Sequence, residues 1–244
     1  VAIVRAGVAA ELSMSAVIVQ AQGEDALKFP TGFYKTGSHI VDDFKKLVGS
    51  QIPKMMFLTQ GIEEPSAHIA KLLEMASKLK LLTKLRAGGL HAGRGPSMDV
   101  SIACVNDVIA FISLLGASSR IKSYVDTLPK PIIITKSYDL IVDELIQKIA
   151  QSNTTLEKVS SLASVYLVIP ELPDDEPEWF PAFERALVAP RENDISFLLD
   201  TLEKSRYGSL IKVSKGKHTS YCSEREYICV TNRTAIFKKV FSRH

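Results

Sequence analysis

Apolar residues recur through the first half of the chain at helical spacing. Residues Val1 to Gln22 are nearly continuous in Ala, Val, Ile, Leu and Met. A membrane span needs about 20 predominantly apolar residues, and Arg5, Glu11, Ser13, Ser15 and Gln20 interrupt this run. Arg5 and Glu11 inside the apolar stretch also disfavour a signal peptide. The expectation is a core helix buried on most of its surface, with Ala6, Gly7, Ala9 and Ala10 allowing close helix contacts. Val1 stands where Met would begin a chain, so the sequence reads as a fragment or processed form.

A Gly- and Pro-rich connection follows from Gly23 to Gly37, with Phe29, Phe33 and Tyr34 expected to anchor it. Ser38 reads as the N-cap of a short helix carrying Ile40, Val41, Phe44, Leu47 and Val48 on one face. Gly49 and Pro53 end it. From about Ser66, Ile69, Leu72, Leu73, Ala76, Leu79 and Leu82 predict a further helix. Its polar positions Lys71, Glu74, Lys78 and Lys80 read as a solvated face. After a glycine-rich stretch from Arg86 to Pro96, Ser97 caps a long helix with Asp99 in its first turn. That helix shows Val100, Ala103, Cys104, Asp107, Val108, Phe111, Ile112 and Leu115, and Gly116 closes it.

Leu128-Pro129-Lys130-Pro131 breaks the chain, which divides it into residues 1–130 and 131–244. Beyond the break, Tyr138 to Gln151 and Thr155 to Val168 read as helices, with a turn to strand at Val165 to Ile169 as one option. Ile195 to Ser205 is again helical. Ser209 to Val213 and Glu226 to Val230 read as strands flanking an exposed stretch with Lys215, Lys217 and Arg225. The fold class expected is mainly α: an antiparallel helical bundle over 1–130, then a smaller mixed α/β lobe over 131–244. Helix followed by basic hairpin fits a winged-helix-like module touching phosphates through Lys212, Lys215, Lys217 and Arg225. An ordinary α+β lobe with a polar hairpin fits the same residues.

Composition adds little until it is divided. The 244 residues are 46% hydrophobic and 23% charged, with a formal net charge of +3. Those values exclude disorder and small disulfide scaffolds. Residues 171–200 hold nine acids and two arginines, a net −7, whereas residues 201–244 hold ten bases and three acids, a net +7. The acidic block reads as a solvated linker around Trp179, Phe180 and Phe183. The basic block favours an anionic partner. Cys104, Cys222 and Cys229 lack the close spacing of zinc sites, and three cysteines cannot all pair, so a reducing, cytoplasmic setting without membrane insertion is expected.

The segment most suited to chemistry is Arg86-Ala87-Gly88-Gly89-Leu90-His91-Ala92-Gly93-Arg94-Gly95-Pro96. Four glycines lie within eight residues, ahead of a capped helix. Glycine-rich loops at helix starts can cradle anions. A phosphate-binding P-loop would need Lys and Ser or Thr after Gly93, where Arg94 and Gly95 stand. A dinucleotide fold would need a preceding strand. Arg86 and His91, with four residues between them in a loop between two long helices, resemble the motif of the HEPN superfamily of all-helical proteins. The resemblance covers residues 1–128. It implies a metal-independent ribonuclease of defence or toxin systems, whose Arg and His from two subunits meet across a homodimer interface. Arg86 and His91 are then the catalytic pair, with Arg94 as a further phosphate contact.

The chemistry suits these residue types. Histidine exchanges protons near neutral pH, and a guanidinium can bind the scissile phosphate and stabilise its developing charge. Glu11 and Asp107, each among apolar residues, are either buried partners of Arg86 or solvent-facing. His39 and His68 lie near helix starts, where surface or capping roles are commonest. No cofactor or metal is expected. The partner expected is RNA, with DNA or a protein as the alternative for a non-catalytic helical scaffold.

Overall fold

The computed structural model describes residues 2–50, 56–87, 96–118, 129–134, 136–169, 172–173 and 176–204. Their regular structure is helical, with no strand among the described residues and one isolated antiparallel bridge, Lys28 with Tyr34. The chain divides into two compact units: Val1–Ala87 with Ser101–Ile133, and Gly88–Val100 with Ile134–His244. Both expected strands, Ser209–Val213 and Glu226–Val230, lie outside the described residues.

In the first unit, helix α1 (Ala2–Gln22) packs on α2 (Ser38–Gly49) and α4 (Pro65–Ala87), and α2 packs on α4. Along α1, Ile3, Ala6, Gly7, Ala10, Met14, Val17, Ile18 and Ala21 are buried, a repeat of three to four that marks one face. The helix is therefore buried on one side, not most of the way round: Val4, Val8, Leu12 and Val19 stay exposed. Leu and Val at these positions lengthen the apolar run without entering the core. Helix α2 buries the five residues expected of it, Ile40, Val41, Phe44, Leu47 and Val48. Its cap differs. Ser38 is already the first helical residue and Gly37, at φ 56°, is the cap, without a side-chain bond. Glycine takes that left-handed backbone at little steric cost.

The connection before α2 is held differently from expectation. Phe29 meets His39 edge-on at 5.1 Å between ring centroids. Lys35 reaches Asp43 at 2.7 Å and the Ala26 carbonyl at 2.9 Å. Phe33 and Tyr34 are 75% and 54% exposed, and of the two Tyr34 ties the connection, donating to Glu24 at 2.5 Å and bridging Lys28. The turn bonds between Phe29 and Phe33 hold the loop closed and aim its tip outward.

The short helix α3 (Met56–Thr59) sits on α4, and α5 (Met98–Leu115) completes this part of the chain. Ser97 caps α5 by accepting from the Val100 amide at 3.4 Å. Phe111 of α5 meets Phe44 of α2 edge-on at 5.7 Å. Full burial of such side chains contributes about 2–3 kcal/mol each. Asn106 exchanges two hydrogen bonds with the backbone of Ile132, at 2.7 and 2.8 Å, tying the Pro-rich segment to α5.

The second unit contains helices α6 (Tyr138–Gln151), α7 (Thr155–Val168), α8 (Glu176–Val188) and α9 (Glu192–Lys204). Ser137 caps α6 by accepting from the Leu140 amide, and Thr154 caps α7 by accepting from that of Glu157. Helix α7 runs to Val168, so Val165 to Ile169 does not turn into a strand. The packing needs of α7 decide this, because Val159, Leu162, Ala163 and Tyr166 also face inward at helical spacing.

The acidic block is not a linker. It forms α8 and the start of α9, with Trp179, Phe180 and Phe183 buried. Tyr166 lies 5.0 Å from Trp179 and 5.6 Å from Phe183, ring centre to ring centre. The polar tips are satisfied: Tyr166 donates to the Leu198 carbonyl at 2.8 Å and Trp179 to that of Pro173 at 3.2 Å. Acids occupy the first turns of α8 and α9, where the helix dipole favours them. Asp194 accepts from Arg185 at 2.8 Å, joining the two helices.

Candidate nucleic-acid site

Arg86 falls in the last turn of α4, whose backbone is helical to Ala87, and α5 opens at Met98. Two long helices thus bracket the glycine-rich segment, as the sequence suggested. The Arg86 side chain, and His91 and Arg94 as whole residues, lie outside the described residues. So do Lys212, Lys215, Lys217 and Arg225. The described part of the site is its frame.

Two carboxylates had been candidates for partnership with Arg86. Asp107 instead pairs with Lys78 of α4 at 2.8 Å, both side chains mostly buried. Burial pushes the Asp107 carboxyl above its ordinary range, and the Lys78 ammonium only partly offsets this. Glu11 on α1 is half-buried. Lys78 and Lys80 therefore do not belong to a solvated face. Lys80 meets Asp42 of α2 at 2.8 Å, with its side chain 12% exposed. Only the Lys71–Glu74 pair behaves as the surface pair the periodicity implied. Helical spacing identifies which positions lie beside the apolar stripe, but not that a neighbouring helix brings a carboxylate to them.

Cys104 is buried on α5, and burial pushes its thiol up to about 12. A thiol so rarely ionised is no nucleophile. His68 is not a surface residue: it is 8% exposed, its Nε2 has no hydrogen-bond partner, and burial lowers its pKa. Asp143 on α6 is raised to about 6 by burial and by Asp139 one turn earlier. His68 was expected at the surface and Asp143 did not stand out in the sequence, since each lies one position from an apolar stripe.

In the second unit, Lys148, Gln151 and Ser152 at the end of α6 and Glu157, Ser160 and Ser161 on α7 line an open cleft of about 310 Å³. It offers hydroxyls, an amide and one charge of each sign. No group of three or more His, Cys, Asp or Glu suited to a metal occurs among the described residues. Helices α1 and α5 are long and apolar enough to cross a membrane, a property shared with core helices. No family model, curated protein or solved structure matches the chain.

Proposed function

We propose that the chain is a HEPN-like effector that binds RNA and cleaves it by metal-independent acid–base chemistry, acting as a cytoplasmic homodimer in a defence or toxin system. The observation that supports this reading is the bracketing of Arg86, His91 and Arg94 by α4 and the capped α5. In it, one His91 takes the proton of the 2′-hydroxyl as that oxygen attacks the neighbouring phosphorus. The His91 of a second subunit returns a proton to the departing 5′-oxygen. Arg86 binds the phosphate and offsets the charge that grows on it. Arg94 adds a phosphate contact, and Lys212, Lys215, Lys217 and Arg225 hold the strand through its backbone.

Purified protein should degrade RNA in EDTA, and His91→Ala should slow cleavage about 100-fold or more without changing the melting temperature. Equal cleavage by the variant contradicts the assignment. The alternative is a non-catalytic bundle that docks DNA or a protein, and the +7 block of residues 201–244 is what favours it. Phosphate contacts weaken steeply with salt. Salt-sensitive binding with no cleavage in EDTA would support this alternative over the nuclease.

A further inference from the structure

We infer that the outer face of α1 is a self-docking surface, on which α1 of a second copy of this chain lies antiparallel. The inner face of the helix is taken up by its own unit, where Ile3, Ala6, Ala10, Met14, Val17 and Ile18 are buried. The opposite face is also largely apolar. Val8, Leu12 and Val19 are exposed there, with Leu12 at 64% the most exposed of them. Arg5 is the charged residue of this face, and Glu11 stands at its edge with one carboxylate oxygen buried. A surface helix ordinarily turns a polar face to water, and a contiguous exposed apolar face marks a surface that something else covers.

The spacing identifies the occupant. Arg5, Val8, Leu12, Ser15 and Val19 follow one another at steps of three, four, three and four, the seam of a two-helix coiled coil. Ala2, Ala9 and Ala16 recur every seven residues on its flank, and such small side chains let a second helix approach closely. Laid antiparallel on itself, the seam matches like with like. Val8 of each copy meets Leu12 of the other, and Arg5 of each meets Ser15 of the other, whose hydroxyl accepts from the guanidinium. Parallel packing would set Arg5 against Arg5, a like-charge contact that opposes association. The antiparallel pair is two-fold symmetric, the commonest closed arrangement of identical chains.

The face is also prepared for docking. Helix α1 is already held along its inner side by α2 and α4, and its 21 residues give three heptads. Pairing then orders side chains and not a whole helix, which removes a large part of the cost a flexible segment pays on binding. The inference stands on α1 alone. A dimer that leaves RNA intact sustains it and counts only against the nuclease reading.

Sedimentation velocity of the full chain across a concentration series measures the dimer directly, and substitutions on the exposed face test its packing. Wild type should dimerise. Leu12→Glu should weaken the dimer about 100-fold or more with an unchanged far-UV spectrum, since Leu12 lies outside the core. Ser15→Glu should tighten the dimer and Ser15→Arg weaken it, each about tenfold, because position 15 faces Arg5 of the second copy. In parallel packing position 15 would face itself, and both charges would weaken the dimer alike. Should Leu12→Glu fail to fold, the two Ser15 variants decide. A monomeric wild type, a dimer indifferent to Leu12→Glu, or Ser15 variants that do not move it in opposite directions overturns the inference.

Discussion

The two units solve the same packing problem with different materials. In the first, aliphatic faces of long helices meet, and two crossings carry ion pairs: Lys78 with Asp107 and Lys80 with Asp42. In the second, the centre is aromatic, with Tyr166, Trp179, Phe180 and Phe183 in one cluster whose polar tips reach backbone carbonyls. Its pair Lys158 with Glu192 lies at the rim, while Asp194, paired with Arg185, is itself buried. The difference teaches where charge counts. A buried pair commits two groups to each other, and losing one partner leaves the other uncompensated. A rim pair can lose either member and let water take its place.

The aromatic centre is the place to break the comparison hardest. Trp179→Ala should destabilise the second unit by about 3–5 kcal/mol, with hydrogen exchange rising through α7 and α8 while α2 keeps its protection. Equal loss in α2 would mean that the two units unfold as one. Next comes the buried pair: Asp107→Ala should cost about 3 kcal/mol, read as a lower denaturation midpoint. Lys71→Ala, removing an exposed partner of Glu74, should cost at most about 0.5 kcal/mol. Similar costs for the two would erase the distinction between crossing and rim.

A pH-dependent effect is expected in the second unit. Asp143 is raised to about 6 in the fold, above its unfolded value near 3.9. Its neutral form is the one the fold favours, so its contribution to stability grows as pH falls through 6 and is complete below the unfolded value. Denaturation followed by Trp179, the only tryptophan, should therefore show less acid weakening in wild type than in Asp143→Asn. A steeper acid loss in wild type would reverse the assignment.

Much of this fold is legible in the sequence. Tyr138–Gln151 and Thr155–Val168 have the observed bounds because the caps Ser137 and Thr154 and a short polar connection leave little choice. The buried face of α2 follows from spacing alone. The acidic block misled because counting charges ignores Trp179, Ala182, Phe183 and Ala186, whose helical spacing buries one side while the acids take the other. Lys78 and Lys80 misled for a related reason. A lysine beside an apolar stripe is solvated or paired depending on what the next helix presents, which is tertiary information. The same limit hid the burial of His68. The candidate site was legible only as a motif, since a run of glycines has no periodicity from which to build a geometry.

Cleavage of one RNA and its 2′-deoxy counterpart, each in EDTA with wild type and His91→Ala, tests the central proposal most directly. The account predicts that wild type cuts the RNA, spares the deoxy strand, and loses its activity with His91. Equal cutting of both strands, or an undiminished rate in the variant, would contradict it.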